Sequence, residues 1–171
     1  KANNFILTDG LFLEAVRGIA RDYPDVAYEE LIVDATAALL VRDASRFDVI
    51  CSTNFYCDVL SDLASELSGS LGLAGSINAG EGLCAAQAQH GSAPDIAGQD
   101  KANPTSLILS AAMLLNWLGE KRNLQAAREA AVAIEAAVDE VLASPETRTA
   151  DLGGSIGCAA FGVAVAARIG N

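Results

Sequence analysis

Apolar positions recur along the chain at helical spacing, broken three times by strand-like runs. Asp9 precedes Leu11, Phe12, Val16 and Ile19, which predicts a helix capped by Asp9, running to about Asp22 and ended by Tyr23-Pro24. Residues 26–33 alternate well enough to read as a strand, 35–41 as a short helix, and 47–51 as a compact apolar strand. Val59, Leu60, Leu63 and Leu67 then form one stripe, predicting a helix over 54–68.

A glycine-rich passage, 69–82, marks a hinge or a crossing between lobes. Residues 83–89 read as a strand and 90–103 as a long polar loop. Pro104, at a favoured first-turn position, opens a buried helix over 105–118. An Ala-rich amphipathic helix over 124–142 and a last helix over 155–168 complete a mixed α/β pattern without internal repeats.

Composition narrows the classes. In 171 residues, 51% are apolar and 19% charged, a globular balance that suits one domain or two lobes. The net charge of −11 argues against general nucleic-acid binding, which needs Lys and Arg to displace counterions. No apolar run reaches the ~18 residues of a spanning helix, so no membrane role is expected. Cys51, Cys57, Cys84 and Cys158 lie far apart without a CxxC pair. They read as free thiols of a reducing compartment, and the cytoplasm is the expected location. The start, Lys1-Ala2-Asn3-Asn4, has neither an initiator Met nor a signal peptide, so the chain is expected to be processed, truncated or partial.

Two constellations carry chemistry. Asp58 and Asp62 stand four apart on one face of the 54–68 helix, and Asp34 closes the strand ending in Ile32-Val33. Three carboxylates suit a hard divalent ion such as Mg²⁺ or Mn²⁺, although the spacing alone favours a solvated helix face. The second is the run from His90 to Gly98, His-Gly-Ser-Ala-Pro-Asp-Ile-Ala-Gly. Its small residues let backbone N–H groups approach a phosphate, and Asp95 could accept from vicinal ribose hydroxyls. An ordinary surface turn would have the same composition.

An ordered series of short stretches resembles the β-decarboxylating dehydrogenases, the isocitrate/3-isopropylmalate dehydrogenase family. The series is Lys1-Ala2-Asn3, Thr8-Asp9-Gly10, Val33-Asp34-Ala35, Phe47-Asp48-Val49-Ile50, Asp58-Val59-Leu60-Ser61-Asp62-Leu63 and Gly69-Ser70-Leu71-Gly72-Leu73. It continues through His90 to Gly98, Ala102-Asn103-Pro104, Ile108 to Leu115 and Asp151-Leu152-Gly153-Gly154.

The resemblance implies roles. Lys1 falls on the catalytic lysine, and Asp34, Asp58 and Asp62 on the metal ligands. His90, Gly91, Ser92, Ala93, Asp95 and Ile96 fall on the cofactor loop, with Asp95 on the ribose-binding acid and Asn103 on an adenine contact. NADP-specific isocitrate enzymes of the family typically carry Lys-Tyr where this chain has Asp95-Ile96, so the expected cofactor is NAD. The implied reaction is oxidative decarboxylation of a 2-hydroxy acid, a 3-substituted malate, with Mg²⁺ or Mn²⁺.

The implied fold is two-lobed. Residues 1–68 would be the second part of the small, dimerising, metal-binding domain. Residues 69–171 would be the returning part of the large, cofactor-binding domain. Family chains are about twice as long, so an amino-terminal half is expected outside this sequence, and a homodimer is implied that donates Lys1 and Asp34 to the neighbouring protomer's site. Two departures stand out. Cys57 replaces a family glycine before Asp58, and Gln87 replaces an acid before His90-Gly91. They leave open a second reading, a non-catalytic regulatory or structural subunit or an inert fragment.

Overall fold

The computed structural model describes residues 1–169 and divides the chain into two compact units, Lys1–Leu67 and Ser68–Asn171. The first unit has three helices: α1 (Ile6–Ala20), α2 (Val33–Asp43) and α3 (Asn54–Leu67). Leu13, Leu40, Tyr56 and Leu60 are its buried apolar side chains. That core is small, and Leu7, Leu11, Val26 and Val49 remain exposed. An open apolar cleft of ≈ 450 Å³ lies between α1 and the extended chain, lined among others by Phe12, Val16, Tyr23, Val26 and Cys51.

Both strands expected in this unit are corrected. Residues 26–32 and 47–51 hold no ladder strand. A strand exists only against a partner that takes its N–H and C=O groups, and among the described residues these segments meet no neighbouring strand, only two bonds with Lys1. The main-chain nitrogen of Lys1 donates to Leu31 O at 3.3 Å, and Val33 N donates back to Lys1 O at 2.7 Å. Asp34 therefore closes no strand; it lies in the first turn of α2, where a carboxylate opposes the helix dipole. Asp9 is not a cap either: α1 begins at Ile6, and Asp9 lies inside its first turn, buried. Its Oδ2 accepts from Ala2 N at 2.5 Å and from the Tyr56 hydroxyl at 3.2 Å.

The second unit is better packed. An antiparallel hairpin, β1 (Gly75–Ala79) and β2 (Cys84–Ala88), pairs Ile77 with Ala86 and turns at 80–83. It lies on α4 (Thr105–Lys121), which packs against α5 (Gln125–Ala143); α5 in turn packs against α6 (Cys158–Ala166). The core joins Ala137, Val138 and Val141 of α5 to Phe161 and Val165 of α6. The last helix is thus shorter than 155–168, and β1 occupies part of the passage read as a glycine-rich hinge.

Two buried serines on α4 replace ladder bonds to the hairpin. Ser106 Oγ donates to Ala74 O at 2.5 Å and accepts from Gln89 N at 3.1 Å. One turn later Ser110 Oγ accepts from Ser76 N at 2.9 Å and lies 2.7 Å from Gln87 O. These bonds fix the hairpin's end, from which the chain enters the 90–103 loop. Among the described residues no helix is long and apolar enough to cross a membrane.

Candidate functional site

The 90–103 loop forms one wall of an open cleft of ≈ 710 Å³ in the second unit. His90, Gly91, Ser92, Ala93, Ile96 and Asn103 all line it. The loop turns sharply at Ala93, whose φ of 43° is left-handed, and a single 3-10 turn, Pro94–Ile96, follows. A non-glycine residue held there stores backbone strain of about 1–3 kcal/mol. His90 Nδ1 lies 2.9 Å from Gly91 O. Asp95 sits exposed in the 3-10 turn and is not among the residues lining the cleft. Its main-chain carbonyl accepts from Gln99 Nε2 at 2.7 Å, bracing the turn.

Asp100 anchors the far end of the loop. Its carboxylate accepts from Ala159 N at 2.8 Å and its carbonyl from Cys158 N at 3.0 Å, so it caps α6 from across the unit. A Cβ on Gly157 would overlap that carboxylate, which explains the glycine. Asp100 adopts φ 54° to make both contacts.

Opposite the loop, Asp151 gathers three donors. Thr149 Oγ1 reaches its Oδ1 at 2.5 Å. Ser70 Oγ and Asn103 Nδ2 reach its Oδ2 at 2.5 and 2.9 Å. Burial alone would push this carboxyl up, but the bonds from Ser70, Thr149 and Asn103 outweigh it and hold its pKa below the ordinary range. The sequence points to neither Asp100 nor Asp151 as a site residue. The Asp151-Leu152-Gly153-Gly154 stretch enters only through the family resemblance, and nothing local in it reveals partners 48 and 81 residues away.

The remaining candidates lie in the first unit. Asp58 and Asp62 stand on one exposed face of α3, and Asn54 Nδ2 approaches Asp58 Oδ2 at 3.4 Å. Asp34 is exposed on α2, its Oδ1 accepting from Ala35 N at 2.8 Å. Among the described residues no three His, Cys, Asp or Glu side chains form a group that could hold a metal ion. Asp34, Asp58 and Asp62 are therefore not one cluster within the chain. Lys1, through its bonds to Leu31 and Val33, is held next to the segment that carries Asp34. The four cysteines are free.

Residues 1–165 match the model of the isocitrate/isopropylmalate dehydrogenase family. An isocitrate/homoisocitrate dehydrogenase of Thermus thermophilus is 52% identical over 165 residues, covering 96% of this chain and 47% of that protein. A mitochondrial NAD isocitrate dehydrogenase regulatory subunit of Dictyostelium discoideum is 44% identical, covering 94% and 44%. The crystal structure of isocitrate dehydrogenase from Methylococcus capsulatus superposes with a TM-score of 0.90 at 42% identity, over 100% of this chain and 49% of that one. The chain thus spans about half the length of the relatives it matches, a partial, mixed α/β piece of their fold. It belongs to the isocitrate/isopropylmalate dehydrogenase family, the β-decarboxylating dehydrogenases.

Proposed function

We propose that this chain supplies the cofactor loop, the catalytic lysine and the metal-binding aspartates of an NAD-dependent dehydrogenase. The substrate is a 3-substituted malate, of the isocitrate or 3-isopropylmalate type, which is oxidised and decarboxylated. The observation that carries this reading is the cleft: six of the seven residues assigned to the cofactor line one wall of it. In this reading the first unit is part of the small domain and the second is part of the large one. The working molecule is a cytoplasmic homodimer completed by an amino-terminal half.

In this reading the main chain of His90 to Ala93 receives the diphosphate, and Asp95 accepts from the ribose hydroxyls. Asn103 contacts the adenine. Asp95 also repels a 2′-phosphate, which selects NAD over NADP. Lys1 would take the proton of the substrate hydroxyl while the hydride on the carbon that bears this hydroxyl passes to NAD, leaving a carbonyl. Asp58 and Asp62 offer hard oxygen donors one helical turn apart and fit Mg²⁺ or Mn²⁺. Asp34 joins them from the second protomer. The bound ion supplies Lewis-acid stabilisation of negative charge on the substrate oxygens.

The test follows NADH formation by the purified protein carrying this sequence, with Mn²⁺ and isocitrate or 3-isopropylmalate. Turnover with one of them, abolished in Lys1→Met and Asp62→Asn, is the expected result. A second reading, a regulatory subunit, is favoured by Cys57 beside Asp58 and by the regulatory relative. It predicts no turnover by the protein itself, but increased turnover of a catalytic family member mixed with it.

A further inference from the structure

Asn103 is buried, lines the cleft and has both ends of its amide engaged. Nδ2 donates to Asp151 Oδ2 at 2.9 Å, and Oδ1 accepts from Thr105 N at 3.0 Å, satisfying one of the open N–H groups at the start of α4. Reversing the amide would set its oxygen against a carboxylate and its NH₂ against an N–H, so both bonds would become repulsions. On the other side, a Cβ on Gly72 would stand 2.8 Å from Asn103 Cβ. The asparagine is thus wedged against Gly72 and keyed by Asp151.

Asp151 is itself fixed. Thr149, fully buried, and Ser70, buried, both donate to it, and a carboxylate with three donors stays ionised and in place. Ser70, Asn103 and Asp151 all line the cleft; Asn103 is the member assigned to the cofactor, and its Nδ2 retains one further N–H beyond the bond to Asp151.

We infer that Asp151 is a positioning residue: its carboxylate sets the Asn103 amide with its donor end toward Asp151, so the cleft meets a purine through an N–H donor. Adenine accepts at N1, whereas hypoxanthine carries a proton there and an acceptor at O6. The inference deepens the NAD reading and rests on it. It concerns a residue that orients another rather than one that touches the reacting atoms.

The experiment measures binding of NAD and of nicotinamide hypoxanthine dinucleotide by calorimetry, for the protein and for Asp151→Asn. A neutral amide at 151 no longer opposes the reversed Asn103 amide, and only Thr105 N is left to hold its orientation. The expected result is about tenfold weaker NAD binding with a much smaller preference for NAD over the hypoxanthine analogue. A purely structural role would weaken both ligands alike and leave their ratio unchanged, and that outcome overturns the inference. Thr149→Val keeps the carboxylate and removes one donor. It is expected to give a two- to threefold loss in the same direction, and it keeps the test open if Asp151→Asn fails to fold. An unchanged ratio in Thr149→Val then overturns the inference. The side-chain amide signals of Asn103 by NMR separate the keying from the binding. Amide shifts far from those of a free asparagine that move toward the free values in Asp151→Asn support the keying even if no nucleotide binds, in which case it is the cofactor reading that falls. Signals identical in both proteins overturn the keying.

Discussion

At the scale of single residues, the site depends on carboxylates that accept hydrogen bonds. Asp151 shows the sign of its effect on stability. Its folded pKa lies below the ordinary Asp value of about 3.9, so it favours the folded state when ionised. That contribution is complete above the unfolded pKa and is lost as pH falls through the folded one. Acid denaturation followed by circular dichroism should therefore begin at higher pH than in a variant whose folding no longer depends on this ionisation. Asp151→Asn is expected to be less stable at pH 7 and to show a flatter dependence on pH below about 4. An equal slope in both proteins would contradict the assignment. Asp100 gives a second prediction. Removing its trans cap in Asp100→Ala should cost about 1–2 kcal/mol in urea unfolding, whereas Asp100→Asn, which keeps an acceptor and tolerates positive φ, should cost less. Local sequence singled out Asp58, Asp62 and the His90 loop as candidates, because a turn of helix or a run of small residues carries its own spacing. It could not reveal Asp100 or Asp151, whose function depends on partners far along the chain.

At the scale of elements, sequence located each α-helix among the described residues, most of them by apolar stripes at 3.6-residue spacing, which need only their own segment to be recognised. Strands fared worse for a physical reason. Residues 26–33 and 47–51 have strand composition, but the chain provides no ladder for them beyond Lys1. In contrast β1, weak by composition in Gly75-Ser76-Ile77-Asn78-Ala79, is a strand because Cys84–Ala88 and Ser110 of α4 take its backbone groups. Asp34 shifted from a strand end to a helix start for the same reason. The serines make this testable. Ser110→Ala leaves Ser76 N and Gln87 O without the hydroxyl they share, and should cost about 1–3 kcal/mol. Hydrogen exchange should quicken at Ser76 before it does in α5. Phe161→Ala, in the α5–α6 core, should cost about 3–5 kcal/mol and loosen the α6 start that Asp100 caps. A Ser110→Ala loss spread evenly over the second unit would argue against a local clamp.

At the scale of the molecule, the two units differ in how complete their cores are. The first leaves Leu7 at 88% and Val49 at 87% exposed beside an apolar cleft, with extended segments that have few backbone partners. Such a surface associates. Sedimentation velocity on the 171-residue chain alone should show association that grows with concentration, and a monodisperse monomer would contradict this. The second unit carries the cleft proposed for the cofactor on a well-packed base, so nucleotide choice is where the proposed function can be read most directly. The decisive measurement is calorimetric titration of NAD and NADP into the protein, with Asp95→Lys alongside. Repulsion between Asp95 and the 2′-phosphate predicts NAD binding at least about tenfold tighter than NADP, roughly 1.4 kcal/mol, and a smaller or reversed preference in Asp95→Lys. Equal affinity for the two cofactors, or binding of neither, would contradict the assignment of this cleft to NAD.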